Sequence, residues 1–109
     1  MKRGEIWTAS GDVEYARKPR PVVIIQQENF DTLDSVTICG FTSDPTDLSL
    51  FRIPIEPTLL NGLQSRSRIM VDKILTVRKS KLGDRIGHLS EHDVVRLDRA
   101  IATFLGLSD

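Results

Sequence analysis

Two short apolar runs constrain the fold of this chain more than any other feature of its sequence: PVVIIQ (residues 21–26) and SVTICGF (residues 35–41). The first is apolar at four consecutive positions after its proline, and both are rich in β-branched residues. Such runs are typical of strands that are buried on both faces. A proline is tolerated at the first position of a strand, where its missing N–H does least harm. We therefore expect the first run to be a central strand of a sheet and the second to be another buried strand.

Shorter strand candidates lie on either side of this pair. GEIWTA (residues 4–9) alternates between apolar and polar positions, and RIGHL (residues 85–89) is a short last candidate. SRIMVDKILTV (residues 67–77) is a longer one, interrupted by the charged residues Asp72 and Lys73. SLFRIPI (residues 49–55) contains Pro54, which favours an edge strand or a bulge.

Only the end of the chain is predicted to be helical. Ser90 is a good N-cap residue, and Glu91 and Asp93 place carboxylates in the first turn. Apolar residues then recur at helical spacing up to Gly106, a common helix stop; they are Val94, Leu97, Ile101, Phe104 and Leu105. These elements predict a mainly β (α+β) fold, an SH3-like barrel of short antiparallel strands with a C-terminal α-helix. We expect a single domain over residues 1–109, because no linker or repeat interrupts the sequence.

The composition excludes several classes of protein. The 109 residues carry no net charge, and no apolar run approaches the roughly 20 residues of a membrane span. Cys39 is the only cysteine; it suits a reducing compartment and is expected in the core. We therefore expect a cytoplasmic protein with no membrane partner. The sequence contains no HExxH, no CxxC and no Gly-rich phosphate loop, so we predict neither a metal site nor a cofactor.

The charges are distributed unevenly along the chain. Residues 26–65 contain six acidic residues and one basic residue, Arg52, whereas residues 66–85 contain seven basic residues and two acidic ones. Arg17, Lys18 and Arg20 form a second basic group. The pattern is compatible with charges that simply cover exposed faces. It also fits an electropositive side that faces a polyanion, with an acidic side opposite.

The segment KPRPVVII (residues 18–25) places Arg20 between two prolines. Each proline fixes its own φ at about −65°, and Pro21 also keeps Arg20 out of the helical region. An arginine held in this way loses little freedom on binding, which suits bidentate capture of a phosphate. Thr42 follows a buried strand in a similar position, with a hydroxyl that can donate to a phosphate oxygen. A salt-bridged arginine and a threonine that caps its own turn are the plainer alternatives.

Four segments together resemble the MazF/PemK (Kid) family of toxins from type II toxin–antitoxin systems: KRGEIW, KPRPVVIIQ, FTSDPTD and SRIMVDKILTVRKSKLGDRIGHL. They match in order and spacing over nearly the whole chain. The resemblance implies a homodimeric SH3-like barrel with appended helices. It also implies metal-independent cleavage of single-stranded RNA at short sequence motifs, and neutralisation by a cognate antitoxin.

The same resemblance assigns roles to individual residues. Arg20 matches the family's catalytic arginine, and Thr42 matches its catalytic threonine after the third strand. Asp72 matches an acidic position implicated in some PemK-type members. The resemblance therefore implies a catalytic set that includes these three residues.

Two positions depart from the family pattern and bear on proton transfer. Met70 stands where PemK-type members carry an arginine. Tyr15 stands where members with another loop carry a glutamate, and Glu14 is one residue further away. The general base is therefore left open among Glu14, Asp72 and Arg20.

The reaction implied by the resemblance needs no metal and no protein nucleophile. The 2′-hydroxyl of the RNA attacks the adjacent phosphate and leaves a 2′,3′-cyclic phosphate and a 5′-hydroxyl end. A fixed cation, here Arg20, and a donor, here Thr42, stabilise the charge that develops. Single-stranded RNA also needs basic side chains and a surface on which bases stack. The candidates are Tyr15, Arg17, Lys18, Ser43, Arg66, Arg68, Lys73, Arg78 and Lys79.

The expected partners are RNA, an antitoxin and a second copy of the chain. Trp7, Phe41 and Phe51 are too many aromatic residues to hide in so small a barrel, so we expect a twofold homodimer whose seam borders the active groove. An acidic, partly disordered antitoxin tail is expected to occupy that groove.

Two other functions are compatible with such a fold. One is a CcdB-like toxin that poisons DNA gyrase, although the chain end FLGLSD lacks the tryptophan on which that branch depends. The other is a non-catalytic module that binds RNA or an antitoxin. The presence of both Arg20 and Thr42 counts against this second alternative.

Overall fold

The structure, a computed structural model, describes residues 1–10, 18–48 and 50–108. Within these ranges the strands and the helix are β1 (Glu5–Ala9), β2 (Arg20–Ile24), β3 (Ser35–Thr42), β4 (Arg52–Ile55), β5 (Ser67–Arg78), β6 (Leu82–His88) and α1 (Glu91–Phe104). Single 3₁₀ turns lie at Glu28–Phe30 and Lys79–Lys81. No helix in this described part of the chain is long and apolar enough to cross a membrane.

The strands form one antiparallel sheet in the order β4-β5-β3-β2-β1-β6. β2 and β3 lie in its middle, as their apolar sequences predict, so the mainly β fold with a C-terminal helix is confirmed. β4, which contains Pro54, lies at one edge, where a proline is tolerated. β6, at the other edge, begins three residues before the predicted start because Leu82 pairs with Ala9 of β1. Local sequence does not indicate a pairing between residues so far apart.

The sheet curls so that the turn after β4 reaches the opposite edge. The backbone N–H of His88 in β6 donates to the carbonyl of Leu60 at 3.0 Å. Gly62 makes this close approach possible, since its φ is +68° and a Cβ there would lie 2.1 Å from the carbonyl oxygen of Ile86. The turn and β6 therefore bound the same side of the curled sheet.

Helix α1 covers one face of the sheet. Leu97 and Ala100 are buried there against core residues of the strands. The helix begins as predicted, because the side chain of Ser90 accepts a hydrogen bond from the backbone N–H of Asp93 at 3.1 Å. It ends before Gly106, whose φ of +75° is a conformation that glycine adopts without strain.

A second apolar layer lies on the other face of the sheet. Its buried members are Ala9, Val22, Ile24, Val36 and Ile38. The large aromatic residues are divided between deep and shallow positions: Phe41 is buried, whereas Trp7 and Phe51 are half-buried. The indole N–H of Trp7 donates to Glu5 at 3.0 Å, and the ring of Phe51 lies 5.9 Å from that of Phe104.

The single cysteine lies in the core. Cys39 is fully buried in β3, and this burial raises the pKa of its thiol to about 12. The thiol therefore stays protonated near neutral pH and behaves as a small apolar residue.

Candidate functional site

A groove of about 750 Å³ lies on the face of the sheet that carries Val22 and Ile38. Its floor is apolar and also includes Met70 of β5. Polar and charged side chains surround this floor; they are Thr8, Arg20, Thr42, Ser43, Asp44, Arg52, Gln64, Ser65, Ser67 and Lys73. The groove thus combines an apolar base with a rim that can bind charged groups.

Arg20 and Thr42 both line this groove. The antiparallel ladder of β2 and β3 runs from the pair Ile24–Ile38 to the pair Val22–Gly40, and Arg20 and Thr42 each lie two residues beyond this last pair. They are therefore at the same end of the two neighbouring strands. The structure therefore brings together the two residues that the sequence analysis singled out.

The position of Arg20 depends on the local backbone. It is the first residue of β2, it is exposed, and it stands between Pro19 and Pro21. Within the described ranges no carboxylate forms an ion pair with its guanidinium. The salt-bridge alternative for Arg20 therefore has no support in this part of the chain, and its charge faces the groove.

Thr42 has a structural contact as well as a place at the rim. Its hydroxyl accepts a hydrogen bond from the backbone N–H of Asp44 at 3.2 Å, so it caps its own turn as the plainer alternative proposes. Accepting this bond uses a lone pair of the hydroxyl and not its proton. The turn is further held by Thr46, whose hydrogen bonds lower the pKa of Asp44. Thr42 is thus oriented by the turn and keeps a donor.

A bulge in β5 lies beside the same rim. β3 and β5 keep one register as far as the pair Cys39–Ile74 and take up another at Phe41–Ile69. Two residue steps along β3 are therefore matched by five along β5. Such an insertion ends the simple alternation of faces and re-aims the side chains that follow it.

This bulge determines which side chains of β5 reach the groove. Met70 and Lys73 both line it, whereas Val71 between them is fully buried in the core beneath α1. The side chain of Met70 lies over Gly40, where a Cβ would be 3.1 Å from its terminal methyl group. The floor at this point is therefore a flexible thioether above a glycine.

Asp72, also in the bulge, forms a two-point ion pair with Arg52 of β4. Nε of Arg52 donates to Oδ1 of Asp72 at 2.7 Å, and Nη2 donates to Oδ2 at 2.9 Å. The side chains of Arg52 and Asp72 are only 13% and 21% exposed. The hydrogen bonds from Arg52 lower the pKa of Asp72 below its ordinary value. The carboxylate is therefore ionised and fixed in orientation at neutral pH.

Comparison with known proteins identifies the family of this chain. The model of the family described as "PemK-like, MazF-like toxin of type II toxin-antitoxin system" matches residues 2–105. The chain belongs to this family. The resemblance inferred from four sequence segments is thereby confirmed.

Individual relatives of this MazF-like toxin agree with that assignment. It is 50% identical over 108 residues to the probable endoribonuclease MazF of Mycolicibacterium smegmatis, covering 99% of both chains. It is similar to the solved structure of Mycobacterium tuberculosis toxin MazF-mt6, with 28% identity, a TM-score of 0.80, and coverage of 96% of this chain and 99% of that one. It shares its fold with an endoribonuclease solved in complex with its cognate antitoxin from Mycobacterial species, with 22% identity, a TM-score of 0.82, and coverage of 100% and 98%. The predicted enzyme class, a MazF-like endoribonuclease toxin, is confirmed by this homology.

Four of the predicted RNA-binding residues of the MazF-like toxin lie in or near the groove. Ser43 and Lys73 line it. Lys18 is exposed, two residues before Arg20. Arg68 is opposite Thr42 in the ladder of β3 and β5. Lys18, Arg68 and Lys73 add positive charge around Arg20, and Ser43 adds a hydroxyl.

Two other predicted residues lie at the far end of β5. Arg78 is opposite Ser35, seven residues along β3 from Thr42, which corresponds to about 23 Å of extended strand. Lys79 follows it, with Nζ at 2.8 Å from Oδ1 of Asp31. The structure therefore does not bring Arg78 and Lys79 to the groove.

The remaining predicted residues divide into two groups. Arg66 forms an ion pair with Glu56 at 2.9 Å, and both side chains are largely exposed outside the groove lining. Glu14, Tyr15 and Arg17 fall within residues 11–17, outside the described residues.

The sequence analysis missed Arg52 as a site residue. A signal was present, because Arg52 is the only basic residue among residues 26–65, a stretch with six acidic ones. An isolated cation in an acidic stretch indicates a specific partner, but the partner, Asp72, lies twenty residues further along the chain. Local sequence could not identify it.

Metal-ligating side chains are also dispersed. Within residues 1–10, 18–48 and 50–108, no three side chains of His, Cys, Asp or Glu gather in a way that could hold a metal ion.

Proposed function

We propose that this MazF-like toxin is a metal-independent endoribonuclease that cuts single-stranded RNA at short sequence motifs and leaves 2′,3′-cyclic phosphate and 5′-hydroxyl ends. The observation that carries the proposal is that Arg20 and Thr42 line one groove, at the same end of the β2–β3 ladder, in a chain of this toxin family. A guanidinium and a hydroxyl placed side by side can bind the two non-bridging oxygens of one phosphate.

The proposed chemistry takes its nucleophile from the RNA. The 2′-oxygen forms a bond to the adjacent phosphorus while the bond from phosphorus to the 5′-oxygen of the next nucleotide breaks. The proton of the 2′-hydroxyl passes to a base, and the departing 5′-oxygen takes a proton from an acid. Negative charge builds up on the phosphate oxygens during this exchange, where Arg20 and Thr42 stabilise it.

The proton-transfer role is proposed among Glu14, Asp72 and Arg20. The lowered pKa of Asp72 makes its carboxylate a weak proton acceptor, and an arginine is protonated at any ordinary pH. These two facts favour Glu14 as the general base. Glu14→Gln should then lower the cleavage rate most at neutral pH, where the wild-type carboxylate is ionised, and the difference should shrink in acid as the carboxylate is protonated. A rate equal to wild type at neutral pH would exclude Glu14 from the role.

The first experiment is cleavage of a long RNA in EDTA by the purified protein. Fragments should appear without added metal, and their 5′ ends should accept phosphate from a polynucleotide kinase without prior phosphatase treatment. Arg20→Ala protein from the same purification controls for a contaminating nuclease. Absolute dependence on Mg²⁺, or 5′-phosphate ends, would contradict the proposed chemistry.

We also propose that the toxin is a twofold homodimer. The exposed large apolar side chains include Leu59, Leu60, Val95, Phe104, Leu105 and Leu107, which lie in the turn after β4 and on or just after α1. Apolar groups gathered on a small domain mark interaction sites. Sedimentation equilibrium should give twice the chain mass of 12.3 kDa. A monomer that cleaves at full rate would exclude a shared groove.

The proposed regulator is an antitoxin with an acidic, partly disordered tail. The proposed location of both proteins is the cytoplasm. Such a tail presents carboxylates to the same cations that bind RNA phosphates, and it would order on binding. A tail peptide and a non-cleavable RNA analogue should exclude each other, and both affinities should fall as salt rises. Simultaneous binding of the two would separate the antitoxin site from the RNA site.

A further inference from the structure

The groove contains two arginines that differ in charge balance. Arg20 is exposed, and no carboxylate in the described ranges forms an ion pair with it. Arg52 is largely buried and bound at two points to Asp72. Both line the same groove. A single role in phosphate binding would not explain why one of the two charges is neutralised inside the site.

The two arginines stand on opposite sides of the groove. β2 carries Arg20 and β4 carries Arg52, with β3 and β5 between them. Three interstrand spacings separate β2 from β4, which amounts to about 14 Å of sheet. An RNA strand whose scissile phosphate lies at Arg20 therefore presents a neighbouring nucleotide, rather than the same phosphate, to Arg52.

A neutralised arginine is poorly suited to attract phosphate but well suited to recognise a base. The carboxylate of Asp72 cancels most of the long-range field of Arg52, because the paired atoms are 2.7 and 2.9 Å apart. The ion pair holds the guanidinium in a fixed plane, so that its remaining N–H donors keep a fixed direction. The polar edge of a nucleobase carries acceptors for such donors.

The β5 bulge and the floor of the groove support this arrangement. The bulge brings Asp72 under Arg52 and places Met70 directly beside it, since Arg52 is opposite Met70 in the ladder of β4 and β5. The thioether of Met70 over Gly40 forms an apolar surface next to the pair. A base whose edge meets the ion pair can rest its flat face on this surface. Arg52 makes further interactions besides the pair, which an incoming base would exchange.

We propose that the Arg52–Asp72 pair is a specificity-determining site that recognises the polar edge of a nucleobase next to the cleaved phosphate. The inference rests on the proposed function, because it assigns one position of the RNA sequence motif to this pair. In this assignment Arg52, which lines the groove, donates to the base, and Asp72, which is outside the groove lining, is a positioning residue that fixes the guanidinium plane.

The test compares cleavage motifs in a random-sequence RNA pool. Wild type and the double variant Arg52→Gln/Asp72→Asn cut the pool in EDTA, and the new 5′-hydroxyl ends are ligated and sequenced. The double variant keeps two hydrogen-bonding side chains of similar shape and removes both charges, so it avoids a buried unpaired charge. Preference for one base at one motif position should fall about tenfold or more, while preferences at the other positions persist.

Two further variants separate base recognition from other roles. Arg52→Lys keeps the charge but loses the planar fork, so it should lose the same preference. Asp93→Asn/Arg96→Gln is the matched control: an Arg–Asp pair at 2.9 Å on α1, outside the groove lining, with side chains 34% and 21% exposed. Its motif should equal that of wild type. Circular dichroism melts of all variants check that each remains folded.

Each alternative outcome is decisive. If both Arg52 variants keep the wild-type motif, the inference is wrong while the proposed function stands. If Arg52→Gln/Asp72→Asn cuts every site more slowly by the same factor and Arg52→Lys restores the rate, either Arg52 binds phosphate or Asp72 transfers a proton, and the inference is wrong in both cases. Failure of wild type to cut the pool at all would overturn the proposed function, and with it the inference.

Discussion

Arg20 and Arg52 occupy the same groove but are held in place by different means. The backbone positions Arg20, since prolines on both sides restrict the chain and β2 begins at this residue. A partner positions Arg52, since Asp72 binds its guanidinium at two points from a strand that comes later in the chain. The first arrangement leaves the full charge exposed to a ligand, and the second leaves a directed set of donors with little net charge. The difference teaches that one groove can separate attraction of a polyanion from recognition of its sequence.

The largest effect on the cleavage rate is expected when Arg20 is replaced. Arg20→Ala should lower the rate of RNA cleavage by about 10²–10³-fold, because it removes the charge stabiliser that lines the groove together with Thr42. The melting temperature should be almost unchanged, since the side chain is exposed and forms no ion pair with a described carboxylate. Single-turnover cleavage of one RNA and a thermal melt measure the two quantities. Arg20→Lys is the control and should recover little activity, because a point charge lacks the fork. Wild-type cleavage by folded Arg20→Ala would remove Arg20 from the site.

A smaller effect is expected from the neighbour of Arg20. Thr42→Val should slow cleavage by about tenfold, because it removes one hydrogen bond to a charged oxygen and keeps the shape of the side chain. It also removes the acceptor for the N–H of Asp44, so Thr42→Ser, which keeps the hydroxyl, is the matched control and should retain most of the rate. Equal rates for the Val and Ser variants would show that the hydroxyl has no part in the reaction.

The third prediction is a loss of stability, in contrast to Arg20→Ala, whose melting temperature should be almost unchanged. Asp72→Ala leaves the guanidinium of Arg52 largely buried without its carboxylate, so it should lower the free energy of unfolding by about 1–2 kcal/mol. Urea denaturation of Asp72→Ala and Arg20→Ala side by side measures the contrast. If the two variants are equally stable, the ion pair does not hold Arg52 in the way described above.

The smallest expected effect is on how the free energy of unfolding changes at acidic pH. Hydrogen bonds from Arg52 hold the pKa of Asp72 below its ordinary value of 3.8, so the unfolded chain binds a proton at this residue before the folded chain does. The stability from the pair is therefore complete above pH 3.8 and is lost as the pH falls through the lower folded pKa. The unfolding free energy of wild type should decline more steeply below about pH 4 than that of Arg52→Gln/Asp72→Asn. Parallel declines would mean that the pair contributes nothing to acid sensitivity.

How much of this molecule the sequence predicts depends on how local each feature is. The central strands, the edge position of Pro54 and the helix capped by Ser90 all follow from short segments, and the structure confirms them. Arg20 can also be identified from a short segment, because the prolines on either side of it restrict its backbone. The early start of β6 depends on pairing with β1, more than seventy residues away along the chain. Local pattern cannot predict such a pairing.

The candidate site shows the same limit. Basic residues clustered in the sequence do not cluster in space, since a strand carries Arg78 about 23 Å from Thr42. Arg52 and Asp72 are twenty residues apart in the sequence and meet only because β4 and β5 pair and β5 bulges. Composition indicates that basic residues are present, but sheet register decides which of them face one another.

The order of strands in the sheet has a consequence for synthesis on the ribosome. Arg20 and Asp72 are 52 residues apart along the chain, and β3, which carries Thr42, is flanked in the sheet by β2 and by the later β5. At roughly 5–20 residues per second, about 3–10 seconds pass between translation of Arg20 and translation of Asp72. During that interval the nascent chain has one wall of the groove and lacks the other. The groove is therefore incomplete until β5 has emerged and paired with β3.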